Sequence, residues 1–180
     1  MQKKEDLRVI KTKRAIKQVF RELIKKKPVE KITVTEIARL AEINKGTFYL
    51  HYRDIYELYD EFLHDFAEEL ADRIDFLEEF FTAPEEFTKK FVVLICRSMK
   101  EEHPFVVGDD KHNRQVPQLF ADIMKKRLYS LKKIEPSIQN DIKLDAILAS
   151  VMSISFRYGE SNPKDVIAVM SASIRQMFPK

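Results

Sequence analysis

The sequence predicts an all-α protein: a short three-helix module at the N-terminus joined to a longer helical domain. Three observations carry this. Glycine and proline number only 3 and 7 among 180 residues, so helix breakers are scarce. Apolar residues recur at spacings of three and four along successive segments, and no segment shows the two-residue alternation of a half-buried strand. Clear helix start and stop signals separate those segments.

The first helix is expected from about Asp6 to Lys26. Its apolar positions include Leu7, Ile10, Ile16, Val19, Phe20, Leu23 and Ile24. Lys25, Lys26 and Lys27 suit its C-terminal dipole, and Pro28 ends it. Thr33 with Glu36 forms a capping box that opens a short helix with Ile37 and Leu40 inward. A connection of three to four residues leads to Asn44, which can cap a third helix from Lys45 to about Tyr52. Asp54 with Glu57 is a second capping box, opening a long helix to about Phe81.

Pro84 restarts the chain as a first helical residue, and that helix is expected to reach about Lys100. The polar stretch Glu101–Arg114 is the least regular part. A helix from Val116 to Lys133 follows, then one from Pro136 or Ser137 to Tyr158. Gly159 is expected as a C-terminal stop, and Pro163 opens a last helix to about Met177.

Charge divides the chain. Residues 1–53 carry 15 Lys and Arg against 6 Asp and Glu, whereas residues 54–180 carry 17 against 23. A basic first third on an acidic remainder suggests a polyanion-facing module on a different kind of domain. No apolar run approaches membrane-spanning length, the first residues lack an apolar signal core, and the single cysteine, Cys96, has no internal disulfide partner. A cytoplasmic location with no membrane partner is the expectation.

The stretch Ile43–Tyr52, INKGTFYLHY, is the most informative. On a helical wheel Phe48 and Tyr52 share one face, while Leu50 lies nearly opposite with Gly46 and Thr47 around it. Glycine costs a helix about 1 kcal/mol relative to alanine, and close approach to another surface is a reason to accept that cost. A DNA major groove suits this face. Gly46 admits the backbone, Thr47 can bond a base edge or phosphate, and Leu50 can meet a thymine methyl. Lys45, Tyr49, His51 and Arg53 have the reach for phosphates, as do Thr33 and Thr35 at the start of the second helix. Lys3, Lys4, Lys11, Lys13 and Arg14 would add phosphate attraction and salt dependence.

Residues Ile32–Leu58, ITVTEIARLAEINKGTFYLHYRDIYEL, resemble the DNA-binding signature of the TetR family of bacterial transcription regulators. The match covers most of residues 7–60. The resemblance implies a helix-turn-helix DNA-binding domain over residues 1–55. It implies a helical effector-binding and dimerisation domain over residues 56–180. The expected function is that of a dimeric regulator, a repressor in the usual case, binding double-stranded DNA at a near-palindromic operator and modulated by a small-molecule effector. By position, Thr33 and Thr35 would serve phosphates, Lys45, Gly46, Thr47 and Leu50 the groove, and Tyr49 and His51 the backbone. Two positions depart from the pattern. Glu42 stands where glycine is frequent, which leaves room for a turn of another shape. Ile55 stands where a phosphate-binding lysine is common, with Arg53 as its substitute. A helical adaptor or coactivator working through a protein partner is the alternative.

The last two helices bear on assembly. Ala146–Tyr158 contains one charge, Arg157, and Val166–Ile174 contains none. Helices without a charged face are covered on more than one side, so these two are expected to form a homodimer interface. Cys96, Met99, Phe120, Met124, Met152 and Phe156 are candidates to line an effector cavity, with ordinary core as the competing reading. Phe91 and Ile95 belong to the same set. The histidines show no metal-ligand spacing, His112 beside Asp109 and Asp110 being the nearest approach. No phosphate loop, nucleophile elbow or paired-carboxylate site is present, so neither a cofactor nor an enzymatic activity is expected.

Overall fold

The computed structural model describes residues 7–101 and 115–179. Their regular structure is helical throughout: α1 (Leu7–Ile24), α2 (Val34–Leu40), α3 (Lys45–Tyr49), α4 (Ile55–Asp72), α5 (Glu79–Thr82), α6 (Pro84–Glu101), α7 (Gln115–Ser130), α8 (Ile138–Tyr158) and α9 (Pro163–Met177), with a 3-10 turn at Val29–Lys31. No helix among these residues is long and apolar enough to cross a membrane. The chain forms two compact units that divide between Leu63 and His64, inside α4.

The first unit closes around aromatic side chains. Ile16, Phe20 and Ile24 of α1, Ile37 of α2, Phe48 of α3 and Leu58, Tyr59 and Phe62 of α4 are all buried. Phe20 meets Phe62 edge-on at 5.5 Å between ring centroids. Lys13 and Lys17 of α1 bond the Glu61 carboxylate of α4 at 3.1 and 3.2 Å. Partial burial works against the Glu61 charge, but the two lysines outweigh it and hold the carboxyl below its ordinary value.

In the second unit, α6 packs on α8 and α9, and α7 packs on α8. Phe80, Phe87, Phe91 and Phe120 form a chain of ring contacts at 5.2, 5.8 and 5.4 Å. Ser137 caps α8 by accepting from the Asn140 amide, and Pro163 opens α9.

Several element ends differ from the sequence expectation. The long helix predicted to reach Phe81 stops at Asp72, where the Arg73 and Ile74 amides bond carbonyls three residues back. No proline or glycine marks this stop. Phe76 and Phe80 turn onto Phe87 of α6, so tertiary packing ends the helix. Helix α7 stops at Ser130 rather than Lys133, because Lys132 takes a left-handed conformation with φ 54°. Helix α3 stops at Tyr49, the His51 amide bonding the Phe48 carbonyl in a tightened last turn. Leu40, expected inward, is 43 % exposed. The buried arc of α2 centres on Ile37 and Ala38, and Leu40 falls at its edge beside a groove lined by Ala15 and Val19. Gly159 follows α8 as the expected C-terminal stop, with a right-handed φ of −61°.

Candidate nucleic-acid interface

The Thr33 hydroxyl accepts from the Glu36 amide at 3.2 Å, fixing the start of α2. The Glu36 carboxylate is bonded to Lys27. Thr35 is exposed on the first turn. At the other end of α2, the Ile43 amide bonds the Ala38 carbonyl and the Glu42 amide bonds that of Arg39. This pair of bonds is a Schellman motif, and it requires a left-handed residue between helix and exit. Glu42 supplies it with φ 54°. The turn therefore keeps the shape a glycine would give, and a glutamate bears the strain.

A left-handed non-glycine residue costs about 1–2 kcal/mol. Glycine at the same position loses about 0.4–1 kcal/mol through the freer unfolded chain. Glu42→Gly is accordingly expected to raise the thermal midpoint of the protein modestly. Glu42→Ala removes the same charge but keeps the strain, and should show no such rise. Equal shifts in the two variants would assign the gain to charge instead.

The exit from that turn leads into α3. Asn44 Oδ1 accepts from the Thr47 amide at 2.7 Å and from the Thr47 hydroxyl at 3.0 Å. The cap thus commits the hydroxyl proton of Thr47, which leaves its oxygen to act as an acceptor. In this state Thr47 is suited to meet a base amino group rather than a phosphate oxygen. This commitment of the hydroxyl was not legible from the residue type alone.

Phe48 and Tyr52 are buried, as the wheel predicts. Their rings lie 5.6 Å apart, and Tyr49 stands edge-on to Phe48 at the same spacing. Leu50 is 81 % exposed, the highest value among the described large apolar side chains. Lys45, Gly46 and Tyr49 are exposed beside it, while Thr47 and His51 are half-buried. The helix therefore holds two bulky rings inward and presents glycine, threonine and leucine outward.

The supporting cations are more engaged than the sequence suggests. Lys13 is bonded to Glu61 and lies 5.3 Å from the centroid of the Tyr52 ring. The Arg53 side chain is exposed and paired with Asp54 at 3.4 Å. The Asp54 carboxyl is held below its ordinary value chiefly by the Glu57 amide that it caps. Ile55 is buried, so the first residue of α4 serves the core. Lys11 and Arg14 are exposed. Lys3 and Lys4 lie outside the described residues.

Residues 19–62 match the model of the bacterial regulatory proteins, tetR family. This N-terminal segment is similar to the N-terminal region of that family. The uncharacterized HTH-type transcriptional regulator YxbF of Bacillus subtilis (strain 168) is 27 % identical over 180 residues, covering 93 % of this chain and 45 % of that protein. The chain thus spans less than half the length of this curated relative. The solved structure of RolR with resorcinol superposes with a TM-score of 0.66 at 18 % identity, over 96 % of this chain and 89 % of RolR. The dihydroxyacetone kinase operon activator DhaS superposes with a TM-score of 0.56 at 18 % identity, over 93 % and 94 %. At these identities the superpositions establish a shared fold. The matched segment contains the outward face of α3, Lys45 to Leu50.

In the second unit, Phe120, Met124 and Met152 are buried and Phe156 is 44 % exposed. Phe91 and Ile95 are buried too. Cys96 is half-buried, and its thiol donates to the Ser155 carbonyl at 3.6 Å. The side chain of Met99 lies outside the described residues, as do His103, Asp109, Asp110 and His112. Among the described residues no group of three or more His, Cys, Asp or Glu is arranged to hold a metal ion.

Proposed function

We propose that this chain is a TetR-type transcriptional regulator that binds a near-palindromic operator as a homodimer, acting as a repressor modulated by a small-molecule effector. Residues 1–55 would form the DNA-binding domain and residues 56–180 the effector-binding and dimerisation domain. One observation carries the DNA-binding part: Leu50 stands almost fully exposed on a helix whose opposite side is held by buried Phe48 and Tyr52. Water is a poor environment for that outward face, and a major groove lined by thymine methyls is a good one. Thr33, Thr35, Lys45, Tyr49, His51 and Arg53 then serve the backbone.

Assembly is supported by a stripe on the last helices. Ile142, Ala146 and Phe156 of α8 are exposed, as are Ala168, Val169 and Ala172 of α9. A second copy laid on this stripe would complete a four-helix interface. That role places Phe156 outward, leaving Cys96, Met99, Phe120, Met124 and Met152 as the effector candidates. RolR was solved with resorcinol, so a small ligand within a fold of this kind is a reasonable class of effector.

Binding to specific and scrambled duplexes at two salt concentrations tests the reading. Leu50→Ala should reduce discrimination between the two DNAs by about 1–3 kcal/mol per contacted base while leaving scrambled-DNA binding unchanged. Lys45→Ala should weaken both and lower the salt slope by about one per protomer. Equal loss on both DNAs for Leu50→Ala would sink the base-reading role. An adaptor that works through a protein partner is favoured by buried Ile55 and paired Arg53, and it predicts no preference between the two duplexes.

A further inference from the structure

Among the described residues of the second unit, the buried polar side chains are all hydroxyls: Thr88, Ser98, Ser155 and Ser171. Three of them are bonded. Thr88 donates to the Pro84 carbonyl at 2.8 Å, Ser171 donates to the Ala168 carbonyl at 3.3 Å, and Ser98 accepts from Arg73 at 3.2 Å. Ser155 is fully buried, and its Oγ has no hydrogen-bond partner. A serine or threonine inside a helix commonly turns its hydroxyl back to the carbonyl four residues earlier, as Thr88 does. Ser155 leaves that bond unmade where solvent does not reach, and a buried hydroxyl without a partner is costly.

The helices that meet near Ser155 bring apolar side chains. The Cys96 thiol of α6 donates to the Ser155 carbonyl at 3.6 Å, which sets this turn of α8 against α6. Met152 stands three residues before Ser155, on the same buried side of α8. Tyr129 bonds Asp141 and Lys125 bonds Asp145, an antiparallel register that carries Phe120 of α7 toward the level of Met152. Phe120 in turn meets Phe91 of α6 at 5.4 Å. Among the described residues of this unit no Asp, Glu, Lys, Arg or His is buried. An ion entering here would lose its water without meeting a counter-charge, so carboxylates, phosphates and ammonium ions are poor occupants. Met124 and Met152 are unbranched and adaptable, the kind of side chain that yields to a guest.

We propose that the effector of this chain is an uncharged, mostly apolar molecule bearing one hydrogen-bonding oxygen, and that the buried Ser155 hydroxyl is its anchor. This rests on the effector reading above. It names the chemical class of the ligand and a residue absent from the candidate set of Cys96, Met99, Phe120, Met124 and Met152.

Four probes of one shape test it: toluene, benzyl alcohol, benzoate and benzylammonium, titrated into the full chain by ligand-observed nuclear magnetic resonance. Toluene and benzyl alcohol should bind, and the two ions should not. Ser155→Ala should lower the ratio of benzyl alcohol affinity to toluene affinity by about three- to tenfold, the worth of one net hydrogen bond. Ser171→Ala, which removes a bonded hydroxyl, should leave that ratio unchanged. Without ligand, Ser155→Ala should raise the thermal midpoint, because it deletes an unpartnered polar atom. A midpoint that falls in Ser155→Ala, an unchanged ratio, an equal fall of the ratio in Ser171→Ala, or ions that bind as tightly as benzyl alcohol would each overturn the anchor. So would failure of both neutral probes to bind a chain that binds a specific duplex selected from random fragments, and the regulator reading would then stand. Saturating benzyl alcohol should weaken the affinity of the unaltered chain for that duplex. Binding through Ser155 with duplex affinity unchanged keeps the site and overturns the effector reading.

Discussion

Phe48→Ala is expected to unfold the N-terminal unit under conditions where the unaltered chain remains folded. Phe48 is completely buried and touches the rings of both Tyr49 and Tyr52. Truncating a buried phenylalanine to alanine costs about 3–5 kcal/mol, through lost transfer energy and the cavity left behind. A whole domain is stable by only about 5–15 kcal/mol. A unit of this size loses several degrees of thermal midpoint per kcal/mol, so the shift should exceed about 10 °C. Leu50→Ala on the same helix is the internal comparison. Its side chain lies in water, so its effect on stability should stay within about 0.5 kcal/mol. Thermal unfolding followed by helical circular dichroism reads both variants. Midpoints falling equally in the two would mean that α3 does not divide into a packed face and a reading face. DNA binding should separate them further. Phe48→Ala should lose all affinity as the unit melts, and Leu50→Ala should lose only discrimination.

The packed and exposed sides of α3 were legible in the sequence because they depend on local spacing. Four residues separate Phe48 from Tyr52, and a helix places such a pair on one side whatever surrounds it. The capping residues were legible for the same reason, since Thr33, Asn44 and Ser137 each bond an amide three residues away. The features that escaped depend on distant partners. Nothing in Arg73–Glu78 breaks a helix, and the stop there comes from Phe87, a residue on another helix. Leu40 has the right spacing from Ile37 to be inward, but a seven-residue helix buries too narrow an arc to cover it. Lys13 reads as a free basic charge until Glu61 is brought beside it. Glu42 is a different case. Residue preference argues against a left-handed glutamate, yet the two Schellman bonds and the entry into α3 demand that conformation, and the global geometry overrides a local cost of about 1–2 kcal/mol.

Gly159 shows the same competition with the opposite outcome, and it leads to the second large effect. The backbone there is right-handed helical, φ −61° and ψ −27°, a conformation alanine adopts freely. Backbone considerations alone therefore predict that Gly159→Ala stabilises the protein by about 0.4–1 kcal/mol. Packing predicts the reverse. A Cβ at this position would lie 2.2 Å from the Ser155 carbonyl oxygen and 2.8 Å from the Cys96 sulfur. Both distances are far inside contact, and the carbonyl belongs to the α8 backbone, where it already accepts from the Gly159 amide and the Cys96 thiol. Relief requires moving the end of α8 against α6, and overpacking of this kind costs about 1–3 kcal/mol. The packing cost exceeds the backbone gain, so Gly159→Ala should lower the thermal midpoint of the second unit. Adding Cys96→Ala removes the sulfur clash but not the carbonyl one, so the double variant should recover only part of the loss attributable to Gly159→Ala. A midpoint that rises in Gly159→Ala would show that α8 and α6 separate at little cost. Full recovery in the double variant, measured against Cys96→Ala alone, would assign the whole constraint to the thiol.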